Sequence, residues 1–366
     1  MSQESDPHMH PLFERVERFR RRSGRVRDKV VVQAHGGGGK AMRDLLDDLI
    51  VGELGDAQLQ INEDQARFSL AELGASGDRL AFTTDSYVVS PLQFPGADIG
   101  KLAVNGTIND LAVSGAIPMY LTCSLILEEG LPIDTLRTIL QSMAQAAKQA
   151  DVHIVTGDTK VVPRGAADKM FINTAGIGVI PEKLDIGAHR IQSDDCILVN
   201  GYLGDHGAAI LVARGELQLD TDIPSDCAPL HGLIRTLIDG GIDIHAMRDI
   251  TRGGLATVLN ELALASEVGM SVNDRALPIR REVKGFCELL GLDPIKLANE
   301  GKVAIAVPAS QVDEALALMK QHPLGEHSAM IATCRPTPPG VVTIDTGFGG
   351  ERILDMLVGE QLPRIC

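Results

Sequence analysis

Leu80-Ala81-Phe82-Thr83-Thr84-Asp85-Ser86-Tyr87-Val88-Val89 is the stretch on which the fold reading turns. It is apolar and β-branched, and it carries a carboxylate where the strand emerges. Downstream, past Pro91 and Pro95, residues 98–115 show a helical pattern containing Ile108-Asn109-Asp110, and 119–127 reads as a strand. Residues 134–150 form an amphipathic helix with Leu136, Ile139, Leu140, Met143, Ala147 and Ala150 on one face. A strand over 152–156 then runs into Gly157-Asp158-Thr159-Lys160, another strand follows over 170–180, and 181–190 reads as a linker.

A second unit repeats the alternation. Residues 196–201 and 303–307 read as strands, and 204–214, 230–239, 282–291 and 312–321 as helices. Asp249-Ile250-Thr251-Arg252-Gly253-Gly254 opens a long helix to about Val268, and Leu297-Ala298-Asn299-Glu300-Gly301-Lys302 leads into the strand at 303. Strands alternating with helices in two successive units imply an α/β (α+β) protein of two domains. The expected division is an extension over 1–29 with a charged helical piece at 15–29, domains over 30–185 and 190–345, and a flexible tail over 346–366.

Upstream of the deciding stretch, four glycines, Gly36 to Gly39, follow the apolar run Val30-Val31-Val32 and precede a short amphipathic helix at 41–51. Unhindered N–H groups in such a run can turn inward around an anion, although the run taken alone reads more readily as a flexible hinge. It is not a P-loop, because Ala34 stands at the first glycine position and Ala41 follows Lys40.

The chain has 366 residues with a net charge of −15 and only 3% aromatic residues, which argues against phosphate-backbone binding and against base stacking. No apolar run approaches the ~20 residues of a membrane span, and no secretory segment opens the chain, so a cytoplasmic protein is expected. Of the six cysteines, Cys123, Cys196, Cys227, Cys287 and Cys334 read as small buried hydrophobes of a reducing cytosol, with no metal-ligand spacing. Cys366 stands apart. It is the last residue, beyond Gly359 and Pro363, where a flexible arm can carry a thiol into a cleft and out again, or where a cysteine is incidental.

Asp64, Asp85, Asp110 and Asp249 each fall beside small or glycine residues. One such aspartate is often only a cap. Four of them, in a chain with a glycine-rich loop, also suit a nucleotide site in which Mg²⁺ neutralises the phosphates, since Mg²⁺ takes hard carboxylate oxygens and keeps substrate phosphates as ligands.

Phe82-Thr83-Thr84-Asp85-Ser86-Tyr87, Asn109-Asp110, Val155 to Val162, Arg248 to Gly254, Ala298-Asn299-Glu300-Gly301 and Pro363-Arg364-Ile365-Cys366 together resemble the HypE family of hydrogenase maturation factors. That family belongs to the superfamily of aminoimidazole ribonucleotide synthetase, selenophosphate synthetase and thiamine-monophosphate kinase. The resemblance runs from about Val30 to Cys366 and implies a two-domain aminoimidazole ribonucleotide synthetase-like fold. It implies ATP-dependent dehydration of a carbamoyl group on the Cys366 thiol to a thiocyanate. The carbamoyl donor would be the carbamoyltransferase HypF, and the cyano group would pass to a HypC–HypD complex for the iron of a [NiFe]-hydrogenase. By the same resemblance Asp64, Asp85, Asp110 and Asp249 hold Mg²⁺ and ATP phosphates, and Thr84, Asn109, Gly157 and Asp158 line the nucleotide pocket. Gly36, Gly37, Gly38 and Gly39 form a lid, Lys160 and Glu300 handle protons beside Cys366, and two chains pair through strands of the N-terminal domain. Asn105 departs from the pattern, standing where a cysteine is expected. Two other classes remain open on the residues alone: a carrier without catalysis, and a small-molecule kinase or synthetase of the superfamily to which Cys366 is irrelevant.

Overall fold

The computed structural model describes residues 24–57, 59, 65–215, 223–346, 349–357, 359, 362 and 364–366. Two sheets organise them. The first has β1 (Arg79–Tyr87), β4 (Ile117–Glu128), β5 (His153–Val162) and β6 (Met170–Ile180) in the order β1-β6-β4-β5. All its pairings are antiparallel except β4 with β5, which are parallel and joined through helix α2 (Ile133–Gln149). Helix α1 (Ile99–Val113) starts where the Asp98 carboxylate accepts from the Lys101 N–H at 2.9 Å, satisfying one of the free donors of the first turn. α1 and α2 pack on one face of this sheet, burying Leu102, Ile108, Leu125, Leu136, Ile139 and Leu140 completely or nearly so. A small hairpin of β2 (Gln93–Phe94) and β3 (Ala97–Asp98) precedes α1.

The opposite face of the first sheet is open. The register places Phe82 opposite Ile177, Ile177 opposite Tyr120, Phe171 opposite Ile126, and Ile126 opposite Lys160, so these residues share that face. Leu80, Phe82 and Ile126 are 59%, 71% and 41% exposed there. Asp85 and Tyr87 alternate to the helix side.

The second sheet has seven strands: β7 (Cys196–Val199), β8 (Ala246–Asp249), β9 (Gly269–Asn273), β10 (Val303–Val307), β11 (Ala329–Arg335), β12 (Val342–Asp345) and β13 (Glu351–Ile353). Every residue of β10 is buried, because helices cover both faces. Ala304 and Ala306 join the cluster around Leu255, Leu259 and Leu262, and Val303, Ile305 and Val307 join the one around Leu233, Leu237 and Met319. Helices α3 (Asp205–Ala213), α4 (His231–Asp239), α5 (Gly254–Ser266), α6 (Arg281–Leu290) and α7 (Val312–Gln321) complete the unit. The two units share apolar contacts: Ile210, Cys227, Ala298 and Ile365 belong to the core of the first.

Several sequence expectations need correction. Residues 24–29 are not helical. The strand expected to stop at Thr156 continues to Val162, so Gly157 to Lys160 lie in the strand rather than beyond it. A Cβ on Gly157 would sit 1.9 Å from the Cys123 carbonyl oxygen, so glycine is there for close strand approach, not to make a bend. Asp110 lies inside α1 and caps nothing. Among the described residues no helix is long and apolar enough to cross a membrane.

Candidate active site

The end of β1, the middle of α1, the end of β8 and the segment before β10 converge on one cavity of about 140 Å³. Thr84, Asp85, Gly106, Asp110, Asp249, Thr251, Arg252, Glu300 and Cys366 line it. The turn after β8 brings Arg252 in. Gly254, at φ +63°, lies so close to the chain at 295–297 that a Cβ would meet the Ile295 and Leu297 carbonyl oxygens at 2.6 Å. The Ile250 N–H donates to Lys302, and the Asn299 N–H donates to Ile250, which fastens the Asp249 loop to the Glu300 loop.

The cavity crowds carboxylates. Burial, then repulsion from Asp110, raises Asp249 to about 7. Burial likewise raises Asp110, against a 2.9 Å hydrogen bond donated by Thr83. Glu300 is 4% exposed, and burial followed by repulsion from Asp226 and Asp249 lifts it well above the carboxylate range. Among the described residues its Oε1 has no hydrogen-bond partner. Against these stands Arg252, 4.0 Å from Asp85 and raised by Cys366 first and then by Asp85. Burial, then Glu300, pushes the Cys366 thiol up to about 12.

The last residues are seated. The Val88 N–H donates to the Cys366 main-chain oxygen at 3.1 Å, and the Ser90 N–H to Arg364 at 3.3 Å. Arg364 returns a 3.0 Å bond from Nε to the Val88 carbonyl and reaches Asp168 at 2.6 Å. Ile365 is buried.

The expected site residues therefore divide. Asp85, Asp110, Asp249, Thr84, Glu300 and Cys366 share the cavity, whereas Asp64 lies outside the described residues. Asn109 serves the architecture: its amide donates to the Ala228 and Glu300 carbonyls and accepts from the Leu230 N–H at 2.7 Å, so both ends are taken. Gly157 and Asp158 line a different cavity of about 160 Å³, beside the helical turns at Met42 and Leu54. Gly36 packs against Val161 of β5. Lys160 is exposed and pairs with Asp158. It sits on the open face of β5, three strand spacings from β1, roughly 14 Å. Lys160, Asp158 and the glycine loop thus gather at the β5 edge, away from Cys366 of the same chain. Asn105 donates to the Cys227 sulfur at 3.5 Å.

Sequence reasoning missed Arg252 as a site residue. It also missed His206 and Arg214, which touch the tail. Arg252 beside the Gly253-Gly254 pair was the one signal available. Nothing in the chain order links His206 or Arg214 to residues 364–366.

Hard carboxylate oxygens crowded together, raised by burial first and by one another second, suit a divalent cation, although among the described residues no three His, Cys, Asp or Glu side chains stand close enough to ligate one as they are placed. Asp85, Asp110 and Asp249 are the residues that would hold it.

The AIR synthase related protein N-terminal and C-terminal domain models match residues 62–180 and 192–344. The carbamoyl dehydratase HypE of Rhodobacter capsulatus is 52% identical over 93% of this chain and 99% of its own length. A crystal structure of hydrogenase maturation protein HypE in complex with ATP is 46% identical, with a TM-score of 0.87 over 92% of this chain and 99% of that one. The crystal structure of a HypE–HypF complex matches at 43% identity and a TM-score of 0.74, over 87% and 100%. With relatives this similar over nearly the whole length, and both domain models matched, the chain belongs to the HypE carbamoyl dehydratase family of AIR synthase related proteins.

Proposed function

We propose that this chain acts in hydrogenase maturation by dehydrating a carbamoyl group carried on Cys366, with ATP as the activating reagent. The observation that carries the reading is the Cys366 thiol enclosed with Glu300, Arg252 and three aspartates in one cavity. A thiol raised to about 12 is not a nucleophile at neutral pH, so this cleft suits an acylated, uncharged sulfur better than a thiolate. Cys366 accepts its carbamoyl group outside the cleft, from a partner of the HypF kind, as the HypE–HypF complex of a relative supports.

In the cleft the group is Cys–S–CO–NH₂. Its oxygen attacks the γ-phosphorus of ATP, the bond to the ADP oxygen breaks, and one nitrogen proton leaves. The C–O bond then breaks with its electron pair departing on phosphate, the second nitrogen proton leaves, and Cys–S–C≡N remains. ADP and phosphate carry away the elements of water. Glu300, ionised once the cations of a loaded site offset its carboxylate neighbours, would take a nitrogen proton at its Oε1, which has no partner among the described residues, and Arg252 would meet the charge on the transferring phosphoryl group. Mg²⁺ at Asp85, Asp110 and Asp249 would supply neutralisation of the nucleotide phosphates. The ATP complex of a relative supports the nucleotide. The cyano group then goes to iron on a HypC–HypD complex.

Lys160 joins the reaction only if a second chain brings it. The open sheet face with Phe82, Ile177 and Ile126 supports a homodimer through the N-terminal sheets, each β5 edge serving the other chain's cavity.

Carbamoylated protein incubated with Mg·ATP should lose the mass of one water at Cys366 for each ADP formed. ATP turnover with unchanged mass would mean a kinase. No turnover and unchanged mass would leave a carrier.

A further inference from the structure

His206 stands second in α3 and is completely buried. Its Nε2 lies 2.8 Å from the Ile365 carbonyl oxygen, and its Nδ1 lies 2.9 Å from Ser225 Oγ. A carbonyl only accepts, so Nε2 carries the hydrogen and Nδ1 accepts from the Ser225 hydroxyl. That hydroxyl oxygen in turn accepts from the Cys227 N–H at 3.1 Å. Phe94 packs edge-on against the ring at 5.5 Å. Arg214, at the end of the same helix, donates from Nε to the Ser90 carbonyl at 3.0 Å and from Nη2 to the Arg364 carbonyl at 2.9 Å.

We infer that His206 is a positioning residue that, with Arg214, latches residues 364–366 through their main chain and sets the register at which the Cys366 sulfur meets Glu300. The Ile365 carbonyl is the protein partner of a buried imidazole N–H. When the tail leaves, that donor loses it, so the empty latch favours the tail's return. The Arg364 and Cys366 oxygens face the Ser90 and Val88 N–H groups, whereas the Ile365 carbonyl between them faces His206. A slip of one residue therefore turns the wrong group toward His206 and moves the sulfur by up to roughly 3.8 Å, one Cα–Cα step. Side chains at 364 and 365 add hold; the latch itself reads the backbone.

The consequence for the reaction rests on the function proposed above, whereas the latch does not. Three variants test it: His206→Phe keeps a ring without a donor, His206→Gln puts an amide N–H near the Nε2 position, and Arg214→Met removes the second contact at a less buried place. The first readout is the rate of Cys366 alkylation by iodoacetamide, resolved by peptide mass. His206→Phe and Arg214→Met should each react on the order of ten-fold faster than the parent, the worth of about one net hydrogen bond, and His206→Gln should return toward the parent rate. The second readout separates the half-reactions. Carbamoyl transfer to the released tail should be at least as fast as in the parent, while dehydration slows. Should His206→Phe fail to fold, Arg214→Met carries the same expectation. Parental alkylation rates in folded His206→Phe and Arg214→Met overturn the latch, as does alkylation that His206→Gln does not slow. Faster alkylation in the variants, with no dehydration even in the parent, upholds the latch and removes the dehydratase reading.

Discussion

Replacing Asp249 by asparagine should make the metal-free protein more stable at neutral pH while weakening its hold on Mg·ATP. Asp249 ends β8 and is raised from an ordinary 3.8 to about 7 by burial and by Asp110. Below 3.8 the carboxyl is protonated in both folded and unfolded chains and contributes no pH dependence. Between 3.8 and about 7 the unfolded chain has lost this proton and the folded chain keeps it, so stability falls as pH rises, by about 1.4 kcal/mol per pH unit. Above about 7 the loss is complete. The parent then carries a penalty of at most about 4 kcal/mol, less whatever hydration and side-chain relaxation recover. An asparagine at this position cannot ionise and carries none of it. Urea unfolding in EDTA, without nucleotide, from about pH 4 to about pH 8, should give curves for parent and D249N that coincide at the acid end and diverge through neutrality. Adding Mg²⁺ and ATP should stabilise the parent more than the variant. Parallel pH profiles, or equal stabilisation of both by Mg·ATP, would refute the electrostatic reading of this cavity.

Glu300→Gln preserves shape but offers no carboxylate, so single-turnover dehydration of carbamoylated protein should slow by about 10²–10⁴ with ATP affinity, read by calorimetry, near the parent's. Cys366→Ser should accept no carbamoyl group, because an alcohol is scarcely ionised at neutral pH, and it should still bind ATP; label from radioactive carbamoyl donor in that variant would contradict the assignment. Phe82→Asp places a charge on the open face of the first sheet and should shift sedimentation from dimer to monomer; an unchanged dimer would move the interface elsewhere. If Lys160 acts across that interface, inactive Lys160→Ala and inactive Asp85→Asn chains, co-expressed and mixed, should recover activity. Mixtures as inactive as the separate variants would confine each site to one chain.

Local chemistry made much of the molecule legible. β10 and α7 follow directly from an all-apolar run and a 3.6-residue apolar stripe, because each is dictated by residues a few positions apart. β8 and β9 are too short and too mixed to announce themselves; they are strands because β10, β11 and β12 offer them a ladder. The strand expected to stop before Gly157 instead runs through it, since a glycine's close neighbour across the sheet is invisible along the chain. The same limit governs the site. Asp85, Asp110, Asp249, Glu300 and Cys366 could be named from their motifs, yet only the fold put them around one cavity. It sent Lys160 to the open face of the sheet instead, because the side-chain period of two and the order β1-β6-β4-β5 leave no alternative. His206 and Arg214 carried no signal at all. A histidine and an arginine on a helix gain a meaning only when residues more than a hundred positions away come to lie against them, and that distance is closed by packing, not by sequence.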